Sequence, residues 1–123
     1  MKLIISSFIL ACLSSVQLYA ANADDYKVET NHLKSYIVES SCVFMRNGIA
    51  YKGSEAITHI NRKEEYFKNA IKSTEDFIRL AATKSEMSGK NYTVSCVEGK
   101  TENLGDWLSH ELASFRKNNN SSK

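Results

Sequence analysis

The fold is decided by the stretch CVFMRNGIAYK, residues 42–52. Within it, Asn47-Gly48 separates two apolar runs. This dipeptide is the strongest short signal for a β-hairpin, because both positions of the tight turn favour a positive φ. The sequence therefore predicts one strand over residues 42–45 and a return strand over residues 49–52.

Apolar residues at helical spacing predict four helices around this hairpin. The first covers residues 24–40 and the last covers residues 104–117. A second helix begins after Ser54, because serine is a favourable N-cap residue. A third begins at Ser73, because Asp76 three residues later forms a pattern close to a capping box.

Residues 91–97 alternate like a β-strand, with Tyr92, Val94 and Cys96 on one face. Together, these elements follow the order α-β-β-α-α-β-α. This order predicts the α+β class, with a small antiparallel sheet of about three strands packed against about four helices.

The amino-terminal segment carries the three parts of a secretory signal peptide. Lys2 is the basic start, residues 3–13 form the apolar stretch, and cleavage is expected after one of the residues from Ala20 to Ala23. The apolar stretch is shorter than the roughly 20 residues of a spanning helix, so we expect no transmembrane segment in the mature chain. The segment predicts a periplasmic or secreted protein. A lipid tether on Cys12 is the alternative.

Cleavage leaves a single domain over residues 24–117 and a polar tail, 118–123, which we expect to be disordered. Lys2 is the one charged residue of the signal peptide. The 16 basic residues of the full chain therefore become 15, against 14 acidic residues. Near-neutral charge with both signs interspersed disfavours binding to nucleic acid.

Cleavage also changes the cysteine count. Of the three cysteines, Cys12 leaves with the signal peptide, and Cys42 and Cys96 remain. Two cysteines in an oxidising compartment predict a disulfide, and closing a loop of this size is worth roughly 4 kcal/mol on the chain-entropy model. The alternative is a pair of free thiols or a nucleophilic cysteine, with Cys42 activated by His59.

The histidines do not form a metal-ligating pattern. His32, His59 and His110 lie on three different predicted helices. His110-Glu111 begins like the zinc motif H-E-x-x-H, but Ser114 stands where the second histidine is required. We therefore expect no metal and no cofactor.

Two pairs of residues are candidates for a functional site. Glu55 and His59 are four residues apart on the second helix, where the carboxylate would raise the pKa of the imidazole and orient it as a general base. Arg46 and Asn47 lie at the hairpin tip, where the guanidinium could bind a carboxylate or phosphate. A structural role is the alternative for each of them.

Several short motifs resemble the YfeK-like family of small exported bacterial proteins of unknown function. They span residues 31–116 in the order Cys42-x-Phe44-x-Arg46-Asn47-Gly48, Glu55-Ala56-x-x-His59-Ile60, Thr74-Glu75-x-Phe77-Ile78, Ser88-Gly89-x-x-Tyr92-x-Val94 and Trp107-Leu108. Thr74 and Asn91 depart from the family pattern, which has alanine and proline there. The resemblance implies a periplasmic protein with a single domain and supplies no activity.

The lack of a clustered catalytic set favours a non-enzymatic binding or interaction module, whose partner is expected to be an envelope protein or a cell-wall component. The alternative is a small cell-envelope hydrolase that uses His59 and Glu55. The hydrolase requires His59, Glu55 and Arg46 to converge on one water-accessible pocket, and the module does not.

Overall fold

The computed structural model describes residues 23–122. The predicted signal peptide, its cleavage site and the alternative tether at Cys12 lie outside these residues. The fold is α+β, as predicted. Its elements in chain order are α1 Ala23–Glu39, β1 Val43–Arg46, β2 Ile49–Tyr51, α2 Gly53–Tyr66, α3 Thr74–Ala81, β3 Thr93–Val97, β4 Lys100–Asn103 and α4 Leu104–Asn120.

The strands form one antiparallel sheet in the order β2-β1-β3-β4. The predicted hairpin is confirmed: Arg46 pairs with Ile49 across the turn, and Asn47 and Gly48 have φ values of 51° and 78°. Both angles lie in the left-handed region, which glycine and asparagine adopt most readily. The turn residues therefore determine the register of the first two strands.

A disulfide joins Cys42 to Cys96, with a sulfur–sulfur distance of 2.02 Å. Cys42 directly precedes β1, and Cys96 lies in β3. Val43 pairs with Ser95 in the ladder between these strands, and this antiparallel register places Cys42 opposite Cys96. The bond thus links the two central strands of the sheet.

The sheet has four strands, one more than the sequence, which predicts about three, accounts for. The additional strand, β4, follows Gly99, which has a φ of 80°. Its sequence is Lys-Thr-Glu-Asn, and all four side chains are exposed. The strand lies at the sheet edge and buries no apolar side chain, so the alternation that identifies a half-buried strand is missing.

Two helices, α2 and α4, pack directly on the sheet, and α1 and α3 pack against the other helices. Phe44 and Val94 project from the central strands into the core and are 3% and 1% exposed. Trp107 of α4 is 8% exposed and stacks on Tyr36 of α1 with the ring centroids 4.4 Å apart. None of the helices in residues 23–122 has the length and apolarity needed to cross a membrane.

Two helix ends differ from the prediction. The helix expected after Ser54 begins one residue before it, at Gly53, with Lys52 as its N-cap. The last helix continues past the predicted end at Lys117 as far as Asn120, so part of the predicted disordered tail is helical. No glycine or proline interrupts this exposed segment, and the N–H of Ser121 still bonds to the Lys117 carbonyl at 3.2 Å. The start of α3 agrees with the prediction, since the Ser73 hydroxyl accepts from the Asp76 N–H at 3.1 Å.

Candidate functional site

A small cavity lies between the inner face of the sheet and α2. Its volume is about 20 Å³, which is room for about one water molecule. We call it the Arg46 recess. Its walls are mostly apolar and aromatic, and they are formed by Phe44, Met45, Arg46, Tyr51, Ala56, His59, Ile60, Tyr92 and Leu104.

Arg46 is the charged residue of this recess. It is the last residue of β1, and its Nε is buried without a hydrogen-bond partner. Burial is the largest influence on the pKa of Arg46 and lowers it, but the nearby hydroxyls of Tyr92 and Tyr51 outweigh burial and raise this pKa above its usual value. No ion pair within residues 23–122 involves Arg46. The recess therefore holds a permanent positive charge with an unused donor.

His59 reaches the same recess from α2. Its ring lies edge-on to that of Tyr51, with the centroids 4.9 Å apart. The pKa of His59 is lowered, first by burial and then by the positive charges of Arg46 and Arg62, and Glu55 opposes this only weakly. Glu55 does raise this pKa, as expected, but its effect is the smallest of the four, so the net shift is downward. His59 is a neutral imidazole at neutral pH, with one nitrogen as donor and the other as acceptor.

Glu55 does not line the recess. Its Oε1 accepts a hydrogen bond from the backbone N–H of Lys52 at 3.1 Å. This contact caps the start of α2, as a glutamate at the third helical position commonly does. Of the predicted catalytic pair, the structure thus brings His59, but not Glu55, to Arg46.

Asn47 does not line the recess and instead holds a loop in place. Its Nδ2 donates to the Ser85 hydroxyl at 3.2 Å, and its Oδ1 accepts from the Ser88 hydroxyl at 2.5 Å. Both ends of the amide are therefore engaged within the protein. The structure gives Asn47 a structural role, namely fastening the hairpin tip to the segment before β3.

Tyr92 lines the recess and Lys63 contacts Tyr92 from outside it, and neither was among the predicted site residues. Tyr92 is 6% exposed, and the Lys63 Nζ lies 3.4 Å from its hydroxyl and 5.1 Å from its ring centroid. The same ammonium bonds to the Lys84 carbonyl and lies 3.4 Å from Glu86 Oε1. Lys63 belongs to a run of charged residues that is typical of a solvated helix face. Nothing in this pattern indicates that its ammonium contacts Tyr92. Tyr92 could have been found, because it shares the inner face of its strand with Val94.

Comparison with known proteins identifies the family. A model described as "Family of unknown function (DUF5329)" matches residues 24–116, which include the whole recess. The chain belongs to the DUF5329 family. It is also similar to the "uncharacterized protein YfeK" of Salmonella typhimurium (strain LT2), with 28% identity over 92 residues, 75% of this chain and 77% of that protein. No solved structure matches the chain.

A larger cleft lies between α3 and α4 in this member of the DUF5329 family. Its volume is about 490 Å³, and Glu75, Arg79, Asp106 and Arg116 are among the residues that line it. Arg116 is already bound to Glu29 and Glu75, and Arg79 to Asp76. The cationic groups of this cleft are therefore occupied within the protein, unlike Arg46.

The remaining histidines do not extend the site in the DUF5329 chain. His32 contacts Glu111 Oε1 through Nε2 at 2.8 Å and stacks on Phe115, with the ring centroids 4.0 Å apart. His110 is exposed on α4. Within residues 23–122, no three or more histidine, cysteine, aspartate or glutamate side chains are grouped to hold a metal ion.

Proposed function

We propose that this chain is a non-enzymatic binding module of the bacterial periplasm, which holds a carboxylate of its ligand at the Arg46 recess. One observation carries the proposal: the Nε–H of Arg46 is buried at the recess and has no partner. A buried donor on a charged group without an acceptor is costly. A carboxylate would satisfy it and form a charge-assisted hydrogen bond.

The size and the polar groups of the recess support a carboxylate. A cavity of about 20 Å³ admits only a small group, which enters by displacing a water molecule. The hydroxyls of Tyr51 and Tyr92 can donate to one carboxylate oxygen while Arg46 donates to the other. Neutral His59 adds one more donor, because its tautomer adjusts to the acceptor it meets.

The alternative of a small cell-envelope hydrolase has less support. A general-base histidine needs an orienting group, and Glu55 instead caps α2. Among the described residues that line the recess there is no serine, cysteine or carboxylate to act as nucleophile. The recess is also too small to enclose a scissile bond together with the groups on either side of it.

The proposed location rests on the signal-like segment and on the disulfide. Lys2 and the apolar residues that follow it fit an export signal, and a disulfide persists in an oxidising compartment. Fractionation of bacteria that express the full chain tests this. We expect the protein in the periplasmic fraction, with a mature amino terminus just after a residue from Ala20 to Ala23. Recovery of the uncleaved chain from the cytoplasm, or of a lipid-modified Cys12, would contradict the location.

An NMR titration tests the carboxylate site. We expect sodium acetate, with the ionic strength held constant by sodium chloride, to shift the Arg46 Nε–H signal in a saturable way. Arg46→Met should abolish the saturable shifts of the neighbouring Tyr92 amide. Arg79→Met is the matched control, because it removes a guanidinium whose side chain is 65% exposed on α3, and it should leave the titration unchanged.

Two results would overturn the proposed function. One is a wild-type Nε–H signal that acetate does not shift beyond the effect of chloride. The other is an equal loss of the response in Arg46→Met and Arg79→Met. The folded state of each variant can be checked from the fluorescence of Trp107, the one tryptophan of the chain.

A further inference from the structure

The strand next to the recess is an open edge of the sheet. β2 pairs with β1 on one side and with no strand of residues 23–122 on the other. Its three residues, Ile-Ala-Tyr, carry no charge, and Ile49 is 57% exposed. The opposite edge, β4, contains a lysine and a glutamate, which discourage pairing with another chain. The two edges of the sheet are therefore not equivalent.

The register of the hairpin shows which backbone groups face outward. Arg46 and Ile49 flank a two-residue turn with positive φ at both positions, so they form the hydrogen-bonded pair. Pairs alternate along an antiparallel ladder, so Ala50, opposite Met45, is a non-hydrogen-bonded position. The N–H and the C=O of Ala50 therefore point away from β1, toward an incoming strand.

Two exposed apolar side chains lie at this end of the molecule. Ile49 follows the hairpin turn, and Met87, which is 92% exposed, directly precedes the Ser88 that bonds to Asn47. Asn47 bonds to Ser85 and Ser88, and thus holds the loop of residues 85–88, which contains Met87, against the hairpin tip. An apolar edge strand, an exposed methionine and a cationic recess are gathered in one region.

We infer that the ligand of this region is an extended acidic peptide, which adds to β2 as a fifth strand and places a glutamate carboxylate in the Arg46 recess. This inference rests on the proposed function. Backbone pairing at Ala50 would align the peptide. Side chains alternate across a strand, so one glutamate faces the helix layer, where the recess lies, and its neighbours face the other side. The charge of Arg46 selects an acidic peptide over a neutral one.

Binding of a short synthetic peptide tests the inference. The probe is the acetylated and amidated pentapeptide TVEVT, and its matched control has glutamine in place of glutamate. We expect the glutamate peptide to bind more tightly than acetate. The glutamine peptide should bind about tenfold more weakly than the glutamate peptide, the loss expected for one charge-assisted hydrogen bond. Arg46→Met should remove this difference between the peptides.

Two further changes test the strand pairing itself. Ala50→Pro removes the outward N–H of β2, and a proline is tolerated at an edge position whose N–H faces solvent. We expect it to weaken peptide binding about tenfold and to leave acetate binding unchanged. Ala50→Ser keeps the N–H and is the control. If Ala50→Pro does not fold, N-methylation of the peptide amide that faces Ala50 makes the same test on the wild-type protein.

The outcomes separate this inference from the proposed function. If acetate binds but the glutamate peptide binds no more tightly, or if neither Ala50→Pro nor the N-methyl group weakens the peptide, the inference is wrong and the carboxylate site stands. If neither acetate nor peptide binds, both are wrong. Sedimentation that shows a dimer abolished by Ala50→Pro in the absence of peptide would instead assign the edge to a second copy of the chain, and would overturn the inference.

Discussion

Arg116 donates from Nε to Glu29 Oε2 at 2.6 Å, and this contact joins the last helix to the first. A second donation, from Nη2 to Glu29 Oε1 at 2.9 Å, makes the pair bidentate. Nη1 bonds to Glu75 Oε1 at 2.5 Å, and the buried Thr74 hydroxyl donates to Glu29 Oε1 at 2.6 Å. One guanidinium therefore connects α1, α3 and α4.

Arg116→Ala is expected to lower the free energy of unfolding by about 1–2 kcal/mol. The bidentate bond is strong, but the Arg116 side chain is 43% exposed, so solvent screens part of its interaction. Urea denaturation followed by Trp107 fluorescence measures the change. Arg79→Ala, which breaks an exposed pair within one helix, should cost less than about 0.5 kcal/mol. Equal losses in the two variants would contradict a special role for Arg116.

The same contacts predict an acid dependence of stability. The bonds from Arg116 are the main reason that the pKa values of Glu29 and Glu75 lie below their ordinary value of 4.5. As the pH falls below that value, these carboxylates take up protons more readily in the unfolded chain than in the folded chain. The free energy of unfolding therefore decreases as the pH falls. The loss should be smaller in Arg116→Ala. Urea denaturation from neutral pH to well below 4.5 checks this, and an unchanged pH profile in the variant would oppose it.

The lowered pKa of His59 predicts a second pH dependence of stability, at higher pH than that of the two glutamates. Its pKa lies below the ordinary value of 6.5, mainly because of burial and of the charge on Arg46. As the pH falls below 6.5, the unfolded chain takes up a proton before the folded chain does, so stability decreases. His59→Phe should remove this part of the profile. NMR titration of the imidazole measures the pKa directly, and a value above 6.5 would contradict the burial and charge argument.

Gly53→Ala is expected to cost about 2–4 kcal/mol. A methyl group at this position would lie 2.1 Å from the Ile37 carbonyl oxygen, and neither backbone can move without separating α1 from α2. Gly105→Ala is the control at the start of α4. There the nearest atom is the Thr83 hydroxyl at 3.1 Å, at the end of a side chain, so we expect little net change. Thermal unfolding of the two variants measures the difference.

Replacement of both Cys42 and Cys96 by alanine is expected to cost about 2–5 kcal/mol. The bond closes a loop with a sequence separation of 54, which restricts the unfolded chain. Reduction of the wild-type protein should lower its unfolding midpoint toward that of the double variant. Alkylation without reduction, followed by mass spectrometry, provides the check. Two labelled cysteines would show that the mature protein carries free thiols.

The hairpin could be predicted because its signal is local. Asn47 and Gly48 have positive φ values that few other residue pairs tolerate, and the apolar runs beside them set the strands. β4 could not be predicted, because its stability comes from pairing with β3 and not from any side chain that it buries. A polar edge strand is visible only once its neighbour is in place.

The site was predictable only in part, for a related reason. The sequence pointed to Arg46 and His59, and the structure places both on one recess. Glu55 has a different role, because α2 starts at Gly53 and the carboxylate then caps its first turn. The sign of the His59 pKa shift depends on burial and on Arg46, a residue of another element. Spacing along one helix does not contain this information.

The pairing of β1 with β3 determines when the chain can fold. A chain that leaves the ribosome amino end first can form the β1–β2 hairpin early. At that stage β3, the strand that pairs with the other side of β1, is not yet synthesised. The packing of α1 is likewise incomplete until α4 is present, because α4 contributes Trp107 and Leu108 to the core. Most of the core therefore forms together, once the last helix has emerged. The hairpin is the part of the sheet whose pairing does not depend on residues that come later in the chain.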